Sequence, residues 1–213
     1  MLTVWGRKTS SNVQAVMWGI AELGLDHERL DVGHKYGGTD TDEFIAMNPN
    51  RLVPVIRDGD DAPLWESAAI LRYLANRYGA APFWPEDLSA RAQVDKWAEW
   101  AKINVASAFT VPIFWRVVRT PEAERDWPAI EASVTALEKA LAIAEERLGD
   151  TAHLAGEDFT LADVQLGHVL YRYYEIGIER AELPNVARYY ERLQAREAYR
   201  EHVMVSYAEL AVS

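Results

Sequence analysis

The sequence predicts an α/β domain followed by an all-helical bundle domain. Three observations support this reading. Strand and helix patterns alternate over residues 1–79, a segment with two prolines and no periodicity follows at 80–88, and every pattern in 89–213 is helical. The order in the first part is β-α-β-α-β-β-α, which predicts a sheet covered by helices with an antiparallel hairpin at one side.

The first half of this domain contains two strands and two helices. Leu2–Trp5 is a short β-prone run, and Ser10–Asn12 are good N-cap types for the helix that follows. Helically spaced apolar residues continue to Gly24, a typical helix end. A second strand is predicted at His27–Val32 and a short helix at Asp42–Met47.

The second half is a hairpin followed by a helix. Two short apolar runs, 53–57 and 63–65, flank an Asp-Gly turn at 58–61, which is typical of a β-hairpin. Ser67, preceded by Glu66, is the predicted N-cap of a helix that ends at Gly79.

The helical domain begins with a long pattern that Ser89 can cap and that Pro112 should break or kink. Further helix starts are predicted at Thr120, Trp127, Thr160, Pro184 and after Arg196.

Composition narrows the function. The chain has 22 basic and 33 acidic residues, a net charge of −11, which disfavours nucleic-acid binding. It has no cysteine, so disulfides, thiolate zinc sites and a protein-borne thiol nucleophile are excluded. The histidines lack metal-ligand spacing, so we expect no metal. The N-terminal run is too short for a signal peptide and no apolar run suits a membrane span, which predicts a cytoplasmic protein without membrane contact.

Polar residues at the start of the first helix are candidates for chemistry. A hydroxyl at a helix N-terminus, such as that of Ser10, can donate a hydrogen bond to a bound thiolate and lower the pKa of the thiol. Asn12 adds an amide donor. A plain N-cap role for Ser10 or Ser11 is the alternative.

Two further features could bind a peptide-like ligand. If the Val53-Pro54 bond is cis, the turn exposes the backbone of Val53 for strand-like pairing; an ordinary edge-strand proline is the alternative. Glu66 and Ser67 combine a carboxylate with a helix N-terminus, which suits an α-amino carboxylate; a plain cap is the alternative. Together with the thiolate site, these features describe glutathione as the ligand.

Four segments at matching spacing resemble the glutathione transferase family, in its cytosolic, bacterial theta-like or nu-like branch, over nearly the whole chain. They are Ser10–Gln14, Asn48–Val55, Glu66–Leu74 and Gly156–Asp163. The resemblance implies a thioredoxin-like N-terminal domain, an all-helical C-terminal domain, glutathione as co-substrate and a homodimer.

The resemblance also implies residue roles. Ser10 corresponds to the activating serine, Ser11 is second choice, and Asn12 matches an asparagine that contacts the sulfur in some bacterial relatives. Val53, before Pro54, would pair with the cysteinyl moiety. The remaining glutathione contacts that it implies are Glu66 and Ser67 at the γ-glutamyl end and Arg51, His34 or Lys35 at the glycine end. Leu52 departs from the basic or hydroxyl residue that the family often places before Val-Pro.

A second pair of motif residues should serve folding. Thr160 and Asp163 form a capping box in which Asp replaces the usual Glu. We expect it to stabilise the helical core and to have no catalytic role.

The electrophile pocket is expected between Ser10 and the first helix of the second domain. Trp97, Trp100, Asn104 and Phe109 are its predicted wall, because aromatic side chains suit flat apolar electrophiles; core packing is the alternative. Weaker candidates are Phe114, Trp115, Tyr171 and Tyr174.

Three functions follow from these residues. The first is conjugation of the glutathione thiolate to small hydrophobic electrophiles, a detoxification reaction. The second is a glutathione-dependent disulfide or peroxide reductase on the same site, and the third is a non-catalytic glutathione-binding protein.

Overall fold

The computed structural model describes residues 1–212. Its strands are β1 Leu2–Trp5, β2 His27–Leu30, β3 Val55–Asp58 and β4 Leu64–Trp65. The helices of the first domain are α1 Ser11–Glu22, α2 Asp42–Met47 and α3 Ser67–Tyr78. Those that follow are α4 Leu88–Trp100, α5 Ser107–Phe109, α6 Arg116–Val118, α7 Trp127–Asp150, α8 Leu161–Gly167, α9 Leu170–Glu175, α10 Pro184–Gln194 and α11 Glu197–His202.

The four strands form one mixed sheet in the order β2-β1-β3-β4. β1 pairs in parallel with β2 and antiparallel with β3, and β4 adds an antiparallel edge strand beside β3. The thioredoxin-like α/β domain and the helical domain predicted from the sequence are confirmed. β2 is two residues shorter than predicted and ends at Leu30.

The core of the first domain lies where α1 and α3 pack together over the sheet. Val16 and Ile20 of α1 and Leu74 of α3 are fully buried. Gly19 permits this close approach, because a Cβ atom there would lie 2.3 Å from Cδ2 of Leu71. The packing fixes the direction of α1, whose N-terminus carries Ser10–Asn12.

The chain from 88 to 118 is one nearly continuous helical run. Its N-cap is Asp87, whose side chain accepts a hydrogen bond from Ala90 N at 2.8 Å, so the predicted cap at Ser89 is corrected. The predicted break at Pro112 is absent. The helix instead widens into π-helical turns at Ala101–Ala106 and Thr110–Trp115. A proline has no N–H to donate and crowds the preceding turn, so a wider turn accommodates Pro112 without ending the helix.

Three other features of the helical domain bear on the predictions. Instead of a helix start at Thr120, the structure has a single 3-10 turn at Glu122–Glu124. Helices do start at Trp127 and Pro184. Each helix within residues 1–212 is too short or too polar to span a lipid bilayer.

The capping box at the start of α8 is present. Asp163 is fully buried, and its Oδ2 accepts hydrogen bonds from Thr160 N at 2.7 Å and from Thr160 Oγ1 at 3.2 Å. Its Oδ1 accepts from Leu154 N and from the hydroxyl of Tyr189, both at 2.9 Å. One carboxylate therefore joins the start of α8 to the preceding loop and to α10.

We expect loss of this carboxylate to destabilise the fold strongly. Asp163→Ala leaves several buried donors unpaired, each costing about 1–3 kcal/mol, so the free energy of unfolding should fall by at least about 3 kcal/mol. Thr160→Ala removes one cap and should cost about 0.5–2 kcal/mol. Urea denaturation measures both. The matched control is Thr135→Ala, at an exposed position in α7, which should change stability by less than about 0.5 kcal/mol. An Asp163 variant as stable as this control would contradict the prediction.

Candidate functional site

One cavity of about 490 Å³ lies between the helix starts of the first domain and the helical run 101–119 of the second. This volume falls in the range of small-molecule sites. Ten of the residues that the sequence predicts to bind or activate glutathione line it: Ser10, Ser11, Asn12, His34, Arg51, Leu52, Val53, Pro54, Glu66 and Ser67.

Ser10 is the N-cap residue of α1, but it does not cap the helix with its side chain. Its backbone is extended, at φ −85° and ψ 124°, and its carbonyl accepts the first helical hydrogen bond from Gln14 N at 2.8 Å. The hydroxyl makes no hydrogen bond to the rest of residues 1–212 and lies at the cavity wall. It is therefore available to a ligand at the positive end of the helix dipole. Ser11, the first helical residue, is buried.

Asn12 and Ser67 are joined by a residue that sequence reasoning missed. Nζ of Lys102 donates to Oδ1 of Asn12 at 2.6 Å and to Oγ of Ser67 at 2.9 Å. Ser67 Oγ also lies 3.4 Å from Oδ1 of Asn12. Burial lowers the pKa of Lys102, while Glu66 and Glu99 act in the opposite direction. The amide oxygen of Asn12 is thus oriented by a lysine from the other domain.

The Val53-Pro54 peptide bond is cis, one of the two alternatives that the sequence leaves open. The backbone N–H and C=O of Val53 have no hydrogen-bond partner in the described part of the chain. Asn48 holds the preceding loop: its Nδ2 donates to the Leu52 carbonyl at 2.8 Å, and its Oδ1 accepts from Asn50 N at 3.0 Å. A fixed loop with an unpaired peptide group can pair with an extended backbone.

Glu66 and Ser67 line the cavity at the start of α3, but the predicted N-cap position differs by one residue. Glu66, not Ser67, is the N-cap residue, and it has a left-handed backbone at φ 71° and ψ 111°. A non-glycine residue in this region costs energy, and such strain concentrates at functional sites. Ser67 is the first helical residue and is almost completely buried, with its hydroxyl held by Lys102.

The three residues predicted to contact the glycine end of glutathione differ in whether they line the cavity. Arg51 and His34 line the cavity. Lys35 does not, because its Nζ pairs with Oε2 of Glu209 at 2.5 Å. Glu209 also accepts a hydrogen bond from Thr9 Oγ1 at 2.5 Å, which brings the C-terminal segment against the loop before α1.

The predicted aromatic wall does not line this cavity. Trp97 packs edge-to-face on Trp100, with ring centroids 5.3 Å apart. Asn104 is exposed and donates to the Trp100 carbonyl, and Phe109 is buried in the core beside Tyr173. Among the weaker candidates, Trp115 lines the cavity, whereas Phe114, Tyr171 and Tyr174 lie outside its wall.

The wider turns of the helical run determine which side chains beyond Ala101 face the cavity. Its cavity face consists of Lys102, Ala106, Ser107, Thr110, Val111, Trp115 and Arg119. At 3.6 residues per turn, Lys102 and Arg119 would lie about a quarter of a turn apart around the axis. The π-helical turns place more residues in each turn, which brings both onto one face.

The cavity is rich in positive charge, although the chain has a net charge of −11. Besides Arg51 and Lys102, it is lined by Arg7, Arg119 and Arg172, and Glu66 is the one acidic residue of the wall within residues 1–212. Burial, and then the charges of Arg7 and Arg119, lower the pKa of His34. The site therefore favours anionic ligands.

The comparisons with known proteins agree with this geometry. Residues 1–76 match the family model "Glutathione S-transferase, N-terminal domain", and residues 104–197 match "Glutathione S-transferase, C-terminal domain". The chain is 37% identical over 206 residues to glutathione S-transferase GstB of Escherichia coli K12, covering 96% of this chain and 99% of that protein.

Solved structures give the same result. The theta class glutathione S-transferase from Xanthomonas axonopodis pv. citri, solved with glutathione bound, has a TM-score of 0.90 and 42% identity, covering 96% of this chain and 98% of that one. Glutathione transferase F7 from Populus trichocarpa has a TM-score of 0.86 and 27% identity, covering 97% and 100%. The chain therefore belongs to the glutathione S-transferase family, and it is an enzyme of that family.

Proposed function

We propose that this enzyme conjugates the glutathione thiolate to small hydrophobic electrophiles, with Ser10 as the residue that stabilises the thiolate. The observation that carries the proposal is the unbonded Ser10 hydroxyl, at a helix N-terminus, in the cavity that also contains Val53 and Ser67. The chain has no cysteine, so the reacting sulfur belongs to the ligand.

In this proposal glutathione spans the first domain. Its cysteinyl backbone pairs with the free N–H and C=O of Val53. Its γ-glutamyl carboxylate meets Ser67 and the first N–H groups of α3, and its ammonium faces Glu66. Its glycine carboxylate lies near Arg51, since Lys35 is paired with Glu209.

The thiol then loses its proton to solvent, and the thiolate sulfur attacks the electrophilic carbon. Ser10 donates a hydrogen bond to the sulfur, and the helix dipole of α1 favours its negative charge. The sulfur–carbon bond forms as the leaving group departs with its electron pair. The electrophile rests on the cavity face of the helical run, where Val111 and Trp115 supply apolar surface.

Asn12 has a positioning role in this scheme. Its Oδ1 accepts from Lys102 at 2.6 Å, so the amide plane is fixed by the second domain. Ser11 is buried and remains the second candidate for the contact with sulfur.

We also propose that the enzyme is a homodimer, as the family resemblance implies, and that it acts in the cytoplasm in detoxification. The cytosol holds glutathione in its reduced form, which this reaction consumes. Sedimentation velocity on the purified chain tests the dimer, and a monomer at micromolar concentration would contradict it.

Ser10 is tested by removing its hydroxyl. Ser10→Ala removes the hydrogen bond to the thiolate, so the pKa of bound glutathione should rise and the thiolate fraction at neutral pH should fall. A hydrogen bond to a charged group is worth about 1.5–3 kcal/mol, so kcat for an aromatic halide should fall about ten- to hundredfold. Ultraviolet absorbance of the bound thiolate against pH gives the pKa directly.

Ser11→Ala is the matched comparison for this experiment. It should leave the pKa of the bound thiol within a few tenths of the parent value. If Ser11→Ala raises the pKa and Ser10→Ala does not, the assignment to Ser10 is overturned. Faster turnover of a disulfide or a hydroperoxide than of any aromatic halide would favour the reductase function.

Lys102 is tested by removing its ammonium group. Lys102→Met removes the donor that links Asn12 to Ser67, so the residues proposed near the sulfur and at the γ-glutamyl end lose their orientation. The KM for glutathione should rise about tenfold, as expected for the loss of a charge-assisted hydrogen bond. Steady-state kinetics measure it, with Lys96→Met on the exposed side of α4 as control. Equal KM values for the two variants would exclude this role of Lys102.

A further inference from the structure

Three arginines reach the cavity from three separate segments. Arg7 lies in the loop before α1, Arg119 follows α6, and Arg172 is in α9. The proposed contacts with glutathione use none of them. A cluster of three guanidinium groups in one cavity therefore calls for a separate explanation.

These guanidinium groups lack carboxylate partners. Within residues 1–212, no carboxylate oxygen lies within 4.0 Å of Arg7, Arg119 or Arg172, and Nε of each is buried without a hydrogen bond. The side chain of Arg172 makes one hydrogen bond, from Nη2 to the Thr9 carbonyl at 2.7 Å. Four other arginines do pair with carboxylates: Arg29, Arg72, Arg77 and Arg196.

The acidic residue nearest to the cluster does not neutralise it. The charge of Glu209 raises the pKa of Arg7, but the Glu209 carboxylate is already bound by Lys35 and Thr9. Burial and then the charge of Arg119 lower the pKa of Arg7, and burial and then Arg7 lower the pKa of Arg172 to about 10. Both groups remain protonated at neutral pH, so the repulsion among them persists until an anion binds.

Aromatic rings hold two of the guanidinium planes in position. Arg119 stacks over Trp115 at 4.6 Å, and Arg172 stacks over Phe114 at 4.6 Å. A stacked guanidinium keeps its in-plane N–H groups free, and that geometry suits bidentate binding of a carboxylate. Trp115 also lines the cavity, so an apolar surface and a cation lie side by side.

We propose that the electrophile this enzyme prefers carries a carboxylate, which Arg119 and Arg7 bind while the apolar body of the substrate rests on Trp115 and Val111. This inference rests on the proposed function, because it names the class of the second substrate. The reaction is unchanged: the thiolate forms the sulfur–carbon bond, the leaving group departs, and the carboxylate takes no part in the bond changes.

The test compares two aryl chlorides that differ only in whether they carry a carboxylate or a neutral carboxamide. 4-Chloro-3-nitrobenzoate and 4-chloro-3-nitrobenzamide are assayed at saturating glutathione, and each kcat/KM is divided by the rate constant of the uncatalysed reaction. The parent enzyme should favour the benzoate at least tenfold. Arg119→Gln and Arg7→Gln should each reduce this preference about tenfold or more, because each removes a charged hydrogen-bond donor. Arg119→Lys keeps the charge and should restore part of the preference.

Arg116→Gln is the matched control, since Arg116 is exposed on the same helical run and does not line the cavity. It should keep the parent preference. An equal normalised rate for the two substrates, or the same preference in Arg119→Gln and the parent, would overturn the proposal. Arg7 also lies beside Gly33, so the KM for glutathione is measured in every variant. If the fold-increase in the KM for glutathione exceeds the fold-decrease in the benzoate preference, the arginines bind glutathione and the proposal is overturned.

A binding measurement separates failure of this inference from failure of the proposed function. Titration calorimetry compares the unreactive 4-nitrobenzoate and 4-nitrobenzamide on the enzyme saturated with S-methylglutathione. Tighter binding of the benzoate, lost in Arg119→Gln, supports the anion site even if neither aryl chloride is turned over, an outcome that would count against conjugation alone. Equal binding of the two compounds, with turnover of both aryl chlorides, would leave conjugation intact and reject the anion site.

Discussion

The packing of α1 between the two domains is the constraint on which the site depends. Trp18, in the middle of this helix, is fully buried and packs edge-to-face on Tyr199, with ring centroids 4.7 Å apart. At the end of the helix, Glu22 accepts hydrogen bonds from Nε and Nη2 of Arg196, at 2.7 and 2.5 Å. The middle and end of α1 are thus anchored in the helical domain, while its N-terminus presents Ser10 to the cavity. A shift of one domain against the other would move the proposed catalytic hydroxyl, because the domain contact and the position of Ser10 depend on the same helix.

Electrostatics divides this protein into an acidic exterior and a basic interior surface. Most acidic residues are exposed and lie away from the cavity, whose described wall contains Glu66 as its one acidic residue, so a net charge of −11 is compatible with a basic site. The cationic residues of the cavity come from four different segments, so their charges add only when the chain is folded. Because water is partly excluded from the cavity, each of these charges interacts more strongly with an anionic ligand there than it would at the surface.

The sequence predicts the parts of the site that local chemistry determines. Ser10, Val53-Pro54 and Glu66-Ser67 lie where a strand or loop meets a helix or turn, and short-range rules identify such junctions. The glutathione side of the cavity is therefore accessible to prediction. The role of Lys102 cannot be predicted in this way. A single lysine in a helical pattern has the same spacing whether its side chain faces solvent or another domain. Its role depends on Asn12 and Ser67, which lie far away in sequence and meet it only through domain packing.

The predicted electrophile wall differs from the structure for a related physical reason. Placing Asn104 and Phe109 on the same wall as Trp97 and Trp100 assumes a regular helix, and this assumption fails once the turns widen at Ala101. Each π-helical turn rotates every later side chain about the helix axis. After two such segments, the face of the helical run that lines the cavity contains Val111, Trp115 and Arg119. The glutathione side uses backbone groups and helix ends, which such a rotation does not alter. Substrate preference in this fold can therefore change through the phase of one helix, while the groups proposed to bind and ionise the thiol stay in place.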